Sequence, residues 1–258
     1  MLRFPLRLTA DLTLSRLAQM LSNAQGTCYV QFLDVADVLH YDSTHPVSHP
    51  RIREINSSRS PVIWMGGSEP LDHPGISHLV RAITQRGHFV FLETDGTQLR
   101  RRIHEFQPVS RLFLTVRLEA GALRHNSNEM RARAFDLAAE GIRAARLSGF
   151  LICIHSVVSV ETELSTMAEL VQIARSLIVD GMVITPRGGS HSPILDSASL
   201  QQKTNTARRL VGSRWWDSFS RLLEPVLSGA RCSKQDNQES GTPAKQEAHA
   251  NEEGVRVA

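Results

Sequence analysis

Between Val62 and Leu99 the chain reads VIWMGGSEPLDHPGISHLVRAITQRGHFVFLETDGTQL. This is an apolar strand, an acidic turn, an amphipathic helix and a second apolar strand, which is one βαβ unit with polar groups gathered at the strand ends. A crossover helix between two such strands requires parallel pairing, and parallel pairing requires a sheet covered on its faces. That requirement excludes most alternatives before any other part of the chain is read.

The same grammar recurs along the sequence. Apolar runs at residues 28–33, 62–65, 88–92, 112–118, 150–158 and 181–185 predict six strands. Helical patterns fall at 75–85, about 100–106, 130–147 and 162–179, with two more at 198–211 and 214–227, the last interrupted near Pro225. Strands alternating with helices imply right-handed parallel crossovers. Six βα units fit either an open doubly wound sheet or a partial (β/α)6 TIM-like barrel, and polar residues clustered after the strands favour the barrel. At 258 residues, 41% apolar and 21% charged, the chain is long enough for one such domain with a full core.

Both ends differ from the centre. In the first 26 residues Leu14, Leu17, Ala18 and Leu21 follow helical spacing, with Thr9 or Asp11 as N-cap. The expected element is an amphipathic helical segment (1–26) packed on the barrel bottom, with a membrane- or partner-facing surface as the sharper alternative. The barrel with its C-terminal helices then spans 27–228. Residues 229–258 have almost no large apolar side chains and are expected to be disordered, Cys232 included.

Several function classes are excluded or disfavoured. A net charge of +3 without a long Lys/Arg run does not point to nucleic acid. No apolar run reaches the roughly 20 residues of a membrane span. Three widely spaced cysteines, Cys28, Cys153 and Cys232, are no disulfide framework and fit inert thiols in a reducing, cytoplasmic setting. Cys153, between Ile152 and Ile154, is expected as a small buried hydrophobe.

The chemistry-bearing segments lie at strand ends. Gly67-Ser68-Glu69-Pro70 places a carboxylate in a glycine-rich turn ended by proline, suited to accept hydrogen bonds from an ammonium group. The long segment 34–61 carries His40, Tyr41, Asp42, His45 and His49. His40, Asp42 and His45 could form a nitrogen/oxygen metal site, but their spacing matches no strong template, and the expectation is polar loop residues with no bound metal. His155 ends the fifth strand, either as a general base or as a hydrogen-bonded core histidine. Trp215 and Trp216 in the last helix serve packing or a lipid or partner surface.

The segments WMGGSEPLDHPGISHLV and LETDG resemble the second strand and turn, and the third strand end, of radical S-adenosylmethionine (SAM) enzymes. With residues 106–119, 135–150 and 179–186, the likeness extends over about 4–219 and is similar to the group that includes the adenosylhopene transferases of hopanoid synthesis. Glu69 and Pro70 match the motif; Ser68 stands for its second glycine and Asp95 for the usual asparagine. The resemblance implies a radical SAM-type barrel in which Gly67, Ser68, Glu69 and Pro70 face the methionine end of SAM. Asp95, Arg117, His155 and residues 185–186 would line the rest of the pocket.

One departure governs the functional expectation. The family carries C-x-x-x-C-x-x-C after its first strand, and those positions here hold Leu39, Ser43 and Pro46. Leucine and proline cannot ligate iron, so the resemblance does not extend to a conventional [4Fe–4S] cluster. The expectation is a divergent SAM-pocket protein acting as a binding or accessory component, which the resemblance links to hopanoid or isoprenoid lipid metabolism, with both an enzymatic and a non-enzymatic role open. The alternatives are an active enzyme with an unconventional cluster, or a cluster-free barrel enzyme using Glu69, Asp95 and His155. The partners expected are a small molecule (SAM or a lipid precursor), a peripheral membrane contact or a protein, and no nucleic acid.

Overall fold

A computed structural model describes residues 4–22, 28–38, 55, 58–123, 129–187 and 194–227. In chain order these contain α1 (Leu6–Ser22), β1 (Val30–Asp34), α2 (Val35–Val38), β2 (Val62–Gly66), α3 (Ile76–Gln85), β3 (Phe89–Thr94) and α4 (Leu99–Arg102). There follow β4 (Leu112–Arg117), α5 (Glu129–Leu147), β5 (Leu151–Val158), α6 (Leu164–Ser176), β6 (Gly181–Pro186), α7 (Ile194–Val211) and α8 (Arg214–Leu227). The six strands pair in sequence order, every pair parallel. The result is a curled half-barrel with helices on its outer face, as the alternating pattern requires.

The strands read as apolar runs because both faces are covered. All residues of β2 and β3 are buried. Toward the concave side, Trp64, Phe91 and Phe113 stack across β2, β3 and β4, with ring centroids 5.5 and 4.6 Å apart and planes within 7° and 3°. Phe219 and Trp216 of α8 pack onto this layer. Helix α8 touches both β6 and β1, the two free edges, and so fills the gap that a complete barrel would close with further strands. Its seat depends on Gly181: a Cβ there would lie 2.1 Å from the Trp216 ring. The buried Arg208 of α7 fastens the closure, donating from Nε to the Ile184 carbonyl and from Nη2 to Glu224, both at 2.9 Å.

Three expectations change. Helix α1 begins at Leu6 rather than after Thr9 or Asp11, and Asp11 is an interior position paired with Arg111 at 3.2 Å. Its inward side carries Leu8, with Phe4 and Leu12 against the core, while Leu14 and Leu17 point outward. Helix α8 continues through Pro225, which forgoes the hydrogen bond to the Arg221 carbonyl and has only two helical residues after it. Cys28 is disulfide-bonded rather than a free thiol. The expected disordered tail 229–258, the histidine-rich candidates of 40–49, and Leu39, Ser43 and Pro46 lie outside the described residues.

Candidate functional site

The C-terminal strand ends form a rim with two connected polar parts. The first joins β2 to β3 through Glu69. Its side chain caps the short 3-10 turn Pro70–Asp72 by accepting from the Leu71 N–H at 3.1 Å. The same carboxylate accepts the Thr94 hydroxyl at 2.5 Å and the Asp95 N–H at 2.8 Å. Three donors occupy three of about four acceptor positions, leaving one on Oε2. Burial pushes the Glu69 carboxyl above its ordinary 4.5, against the pull of these donors. Asp95 is exposed and turns back on its own loop, accepting the N–H and the hydroxyl of Thr97, each at 2.8 Å. Asp72 accepts from Gln98, tying the two loops a second time.

Gly67 has φ +84°, and a Cβ there would lie 2.5 Å from the Asp34 carboxyl group of β1. The glycine therefore lets the β2 turn fold tightly against the end of β1. Ser68 beside it is exposed, whereas Pro70 is buried beneath the turn.

The second part lies inside the half-barrel. Register places Glu93 beside Thr115, Thr115 beside Cys153, and Arg117 beside His155. Glu93 Oε2 accepts from Trp64 Nε1 at 2.7 Å, and Oε1 lies 2.8 Å from His155 Nδ1. His155 Nε2 lies 2.8 Å from the Thr185 hydroxyl, and the Trp64 ring meets the imidazole edge-on at 5.3 Å. Arg117 Nη1 approaches Glu93 Oε1 at 3.9 Å from the exposed rim. Burial would raise the Glu93 carboxyl, but the His155 hydrogen bond and charge, the Trp64 N–H and Arg117 together hold it below 4.5. The ionised carboxylate has no proton to give, so His155 donates through Nδ1 and turns Nε2 toward Thr185. Thr115 Oγ1, fully buried next to Glu93 in the register, has no hydrogen-bond partner among the described residues.

The structure thus joins Glu69 to Asp95 and Arg117 to Glu93, and places Gly67, Ser68 and Pro70 on the same rim. It does not bring Arg117 into contact with Glu69. His155 is a hydrogen-bonded interior histidine, and its partner is Glu93 rather than Glu69. Glu93 and Trp64 are the residues that sequence reasoning passed over. Their signal is a carboxylate within the apolar run FVFLET, which cannot be buried ionised without donors. Cys153 is sealed within β5, and burial raises its thiol well above the usual range.

Among solved structures, the chain matches SuiB of Streptococcus suis bound to S-adenosylmethionine at 11% identity with a TM-score of 0.54, over 79% of this chain and 49% of SuiB. It also matches TYW1 with a lysine-pyruvate adduct bound (12% identity, TM-score 0.45, 80% of this chain, 61% of that one) and archaeal TYW1 (13%, 0.37, 67% and 52%). The fold is a partial TIM-like α/β barrel, like that of SuiB. The chain spans about half the length of SuiB and of archaeal TYW1. No family model and no curated protein matches the sequence.

The group that the sequence resemblance implies must fit the residues present. A site-differentiated [4Fe–4S] cluster takes three thiolates. Cys153 is a free thiol enclosed in the sheet, and Cys28 is committed to a disulfide, a bond that takes two of the three cysteines in the sequence. The thiolate set does not fit. The rim presents the remaining Oε2 acceptor position of Glu69, the exposed Ser68 and Asp95, and the Arg117 guanidinium.

Proposed function

We propose that this protein is a radical SAM-like barrel that binds S-adenosylmethionine, or a small molecule resembling it, on the rim built by Gly67, Ser68, Glu69, Pro70, Asp95 and Arg117. It does so without a conventional [4Fe–4S] cluster, as a binding or accessory component. The observation that carries the reading is the cysteine inventory: an enclosed Cys153 and a disulfide-bonded Cys28 cannot join a three-thiolate site. The SAM-bound state of SuiB, on the same fold, supports the choice of ligand. A role beside hopanoid or isoprenoid lipid metabolism rests on the sequence resemblance of residues 4–219.

Calorimetric titration of the purified protein with S-adenosylmethionine tests the ligand; saturable binding is expected, and its absence overturns the pocket. Anaerobic incubation with iron and sulfide, followed by counting of iron per chain, tests the cluster. Four irons per chain with cluster absorption would overturn the cluster-free part.

A second reading is favoured by one observation, the buried chain Glu93–His155–Thr185. A carboxylate on Nδ1 and a hydroxyl on Nε2 let the imidazole take the hydroxyl proton while the carboxylate stabilises the imidazolium. A cluster-free barrel enzyme would use this arrangement for acid–base work. It is tested by whether any turnover found follows a His155→Gln variant down while S-adenosylmethionine binding persists.

A further inference from the structure

The opposite end of the half-barrel, where the strands begin, has a surface that the site does not explain. Helix α1 lies across it. Leu8 on the inner side is fully buried, and Asp11 pairs with Arg111, which also bonds the Gly87 carbonyl before β3. The outer side holds Leu6, Leu14 and Leu17, which are 86%, 63% and 50% exposed. Spacing of i, i+8 and i+11 puts all three on one stripe, so α1 is apolar on two sides, and among the described residues only one of them is packed. Trp215 is 57% exposed at the start of α8 and stacks on Phe4, which precedes α1, at a centroid distance of 6.0 Å.

The unpaired charges around this stripe, among the described residues, are of one sign. Arg7 and Arg16 on α1, Arg86 before β3 and Arg214 before Trp215 are exposed, and none has a carboxylate partner among the described residues. The neighbouring acids are all engaged: Asp11 with Arg111, Asp180 with Arg146, and Asp217 with Arg221. Exposed leucines along one helix side, flanked by unpaired arginines and bordered by a half-exposed tryptophan, are the components of an interfacial helix. Among the described residues no helix is long and apolar enough to cross a membrane.

We propose that this pole docks on an anionic lipid surface, with Leu6, Leu14, Leu17 and Trp215 entering the interface and the arginines meeting lipid phosphates. The rim bearing Glu69 then faces away from the bilayer. The docking surface is independent of the ligand reading, because it lies at the other end of every strand.

The test is sedimentation of the full chain with vesicles of phosphatidylcholine alone and of phosphatidylcholine with phosphatidylglycerol. The protein is expected to pellet with the anionic vesicles, less so as salt rises, and not with the neutral ones. Leu14→Gln/Leu17→Gln, at exposed positions, should reduce binding to the neutral-vesicle level while leaving the unfolding midpoint unchanged. Each of Arg7→Gln and Arg16→Gln should weaken binding about fivefold. Trp64 and Trp216 are buried, so quenching of fluorescence by brominated lipid reports Trp215 and should vanish in Trp215→Phe. Failure to pellet with anionic vesicles, or pelleting unaffected by the double leucine change, overturns the proposal; the first outcome would instead favour an acidic protein partner. Vesicle binding without S-adenosylmethionine binding would leave this inference standing and overturn the ligand reading alone.

Discussion

Glu93 Oε1 lies 2.8 Å from His155 Nδ1, across two strands and 62 residues of sequence, with both side chains almost fully buried. The pair is the polar centre of an otherwise aromatic interior, and it fixes which imidazole nitrogen faces Thr185. Because the interaction is with an ionised carboxylate in a dry site, removing one partner leaves the other without compensation.

Glu93→Gln should therefore destabilise the protein by about 3 kcal/mol, measured by urea unfolding at neutral pH. The same residue sets an acid limb. Its folded value lies below the ordinary 4.5, so its stabilisation is complete above 4.5 and is lost as pH falls through the folded value. The variant should show a shallower loss of stability in that window. Parallel curves for the two proteins below pH 4.5 would show that Glu93 is not the group responsible.

Glu69→Ala removes the acceptor shared by Leu71, Thr94 and Asp95. Loss of these bonds should cost about 2 kcal/mol and free the β2 and β3 turns from one another. Amide hydrogen exchange at Leu71 and Asp95 should accelerate while the centre of β3 stays protected. Calorimetric binding of S-adenosylmethionine should fall below detection. Retained binding with exchange accelerated would assign Glu69 a purely structural role.

Gly181→Ala tests the closure of the barrel by α8. A methyl group at this position meets the Trp216 ring, so either the helix or β6 must shift. Overpacking of this kind costs about 1–3 kcal/mol, whereas alanine at an ordinary strand position would stabilise relative to glycine. The near-ultraviolet circular dichroism of the aromatic layer should weaken as well. An unchanged unfolding midpoint would mean that α8 does not sit against β6 as described.

The ease of reading the strands and the difficulty of reading the site have one physical origin. Parallel strands covered on both faces appear as uninterrupted apolar runs, and each of the six falls within two residues of its expected bounds at either end. The orientation of α1 was not legible because a helix apolar on two sides gives periodicity to both, and Leu14 and Leu17 belong to the outer one. Glu69 and Asp95 could be placed by their local turn. Glu93, Trp64, His155 and Thr185 meet only through the register of β2 to β6, which no spacing within a single segment encodes.

Cys153 offers the most direct test of the cysteine argument. Its side chain is fully buried, and burial, followed by the charge of Asp180, raises its thiol well above the usual range. Reactivity needs the thiolate and access to it, and both are suppressed here. Under native conditions iodoacetamide should leave Cys153 unmodified while modifying it readily in denaturant, as read by peptide mass analysis. Cys153→Ala, close in volume and apolar, should cost no more than about 1 kcal/mol and leave the iron content after anaerobic reconstitution unchanged. Rapid native modification would mean that β5 opens, and iron content that falls with the Cys153→Ala change would return this cysteine to a ligand role.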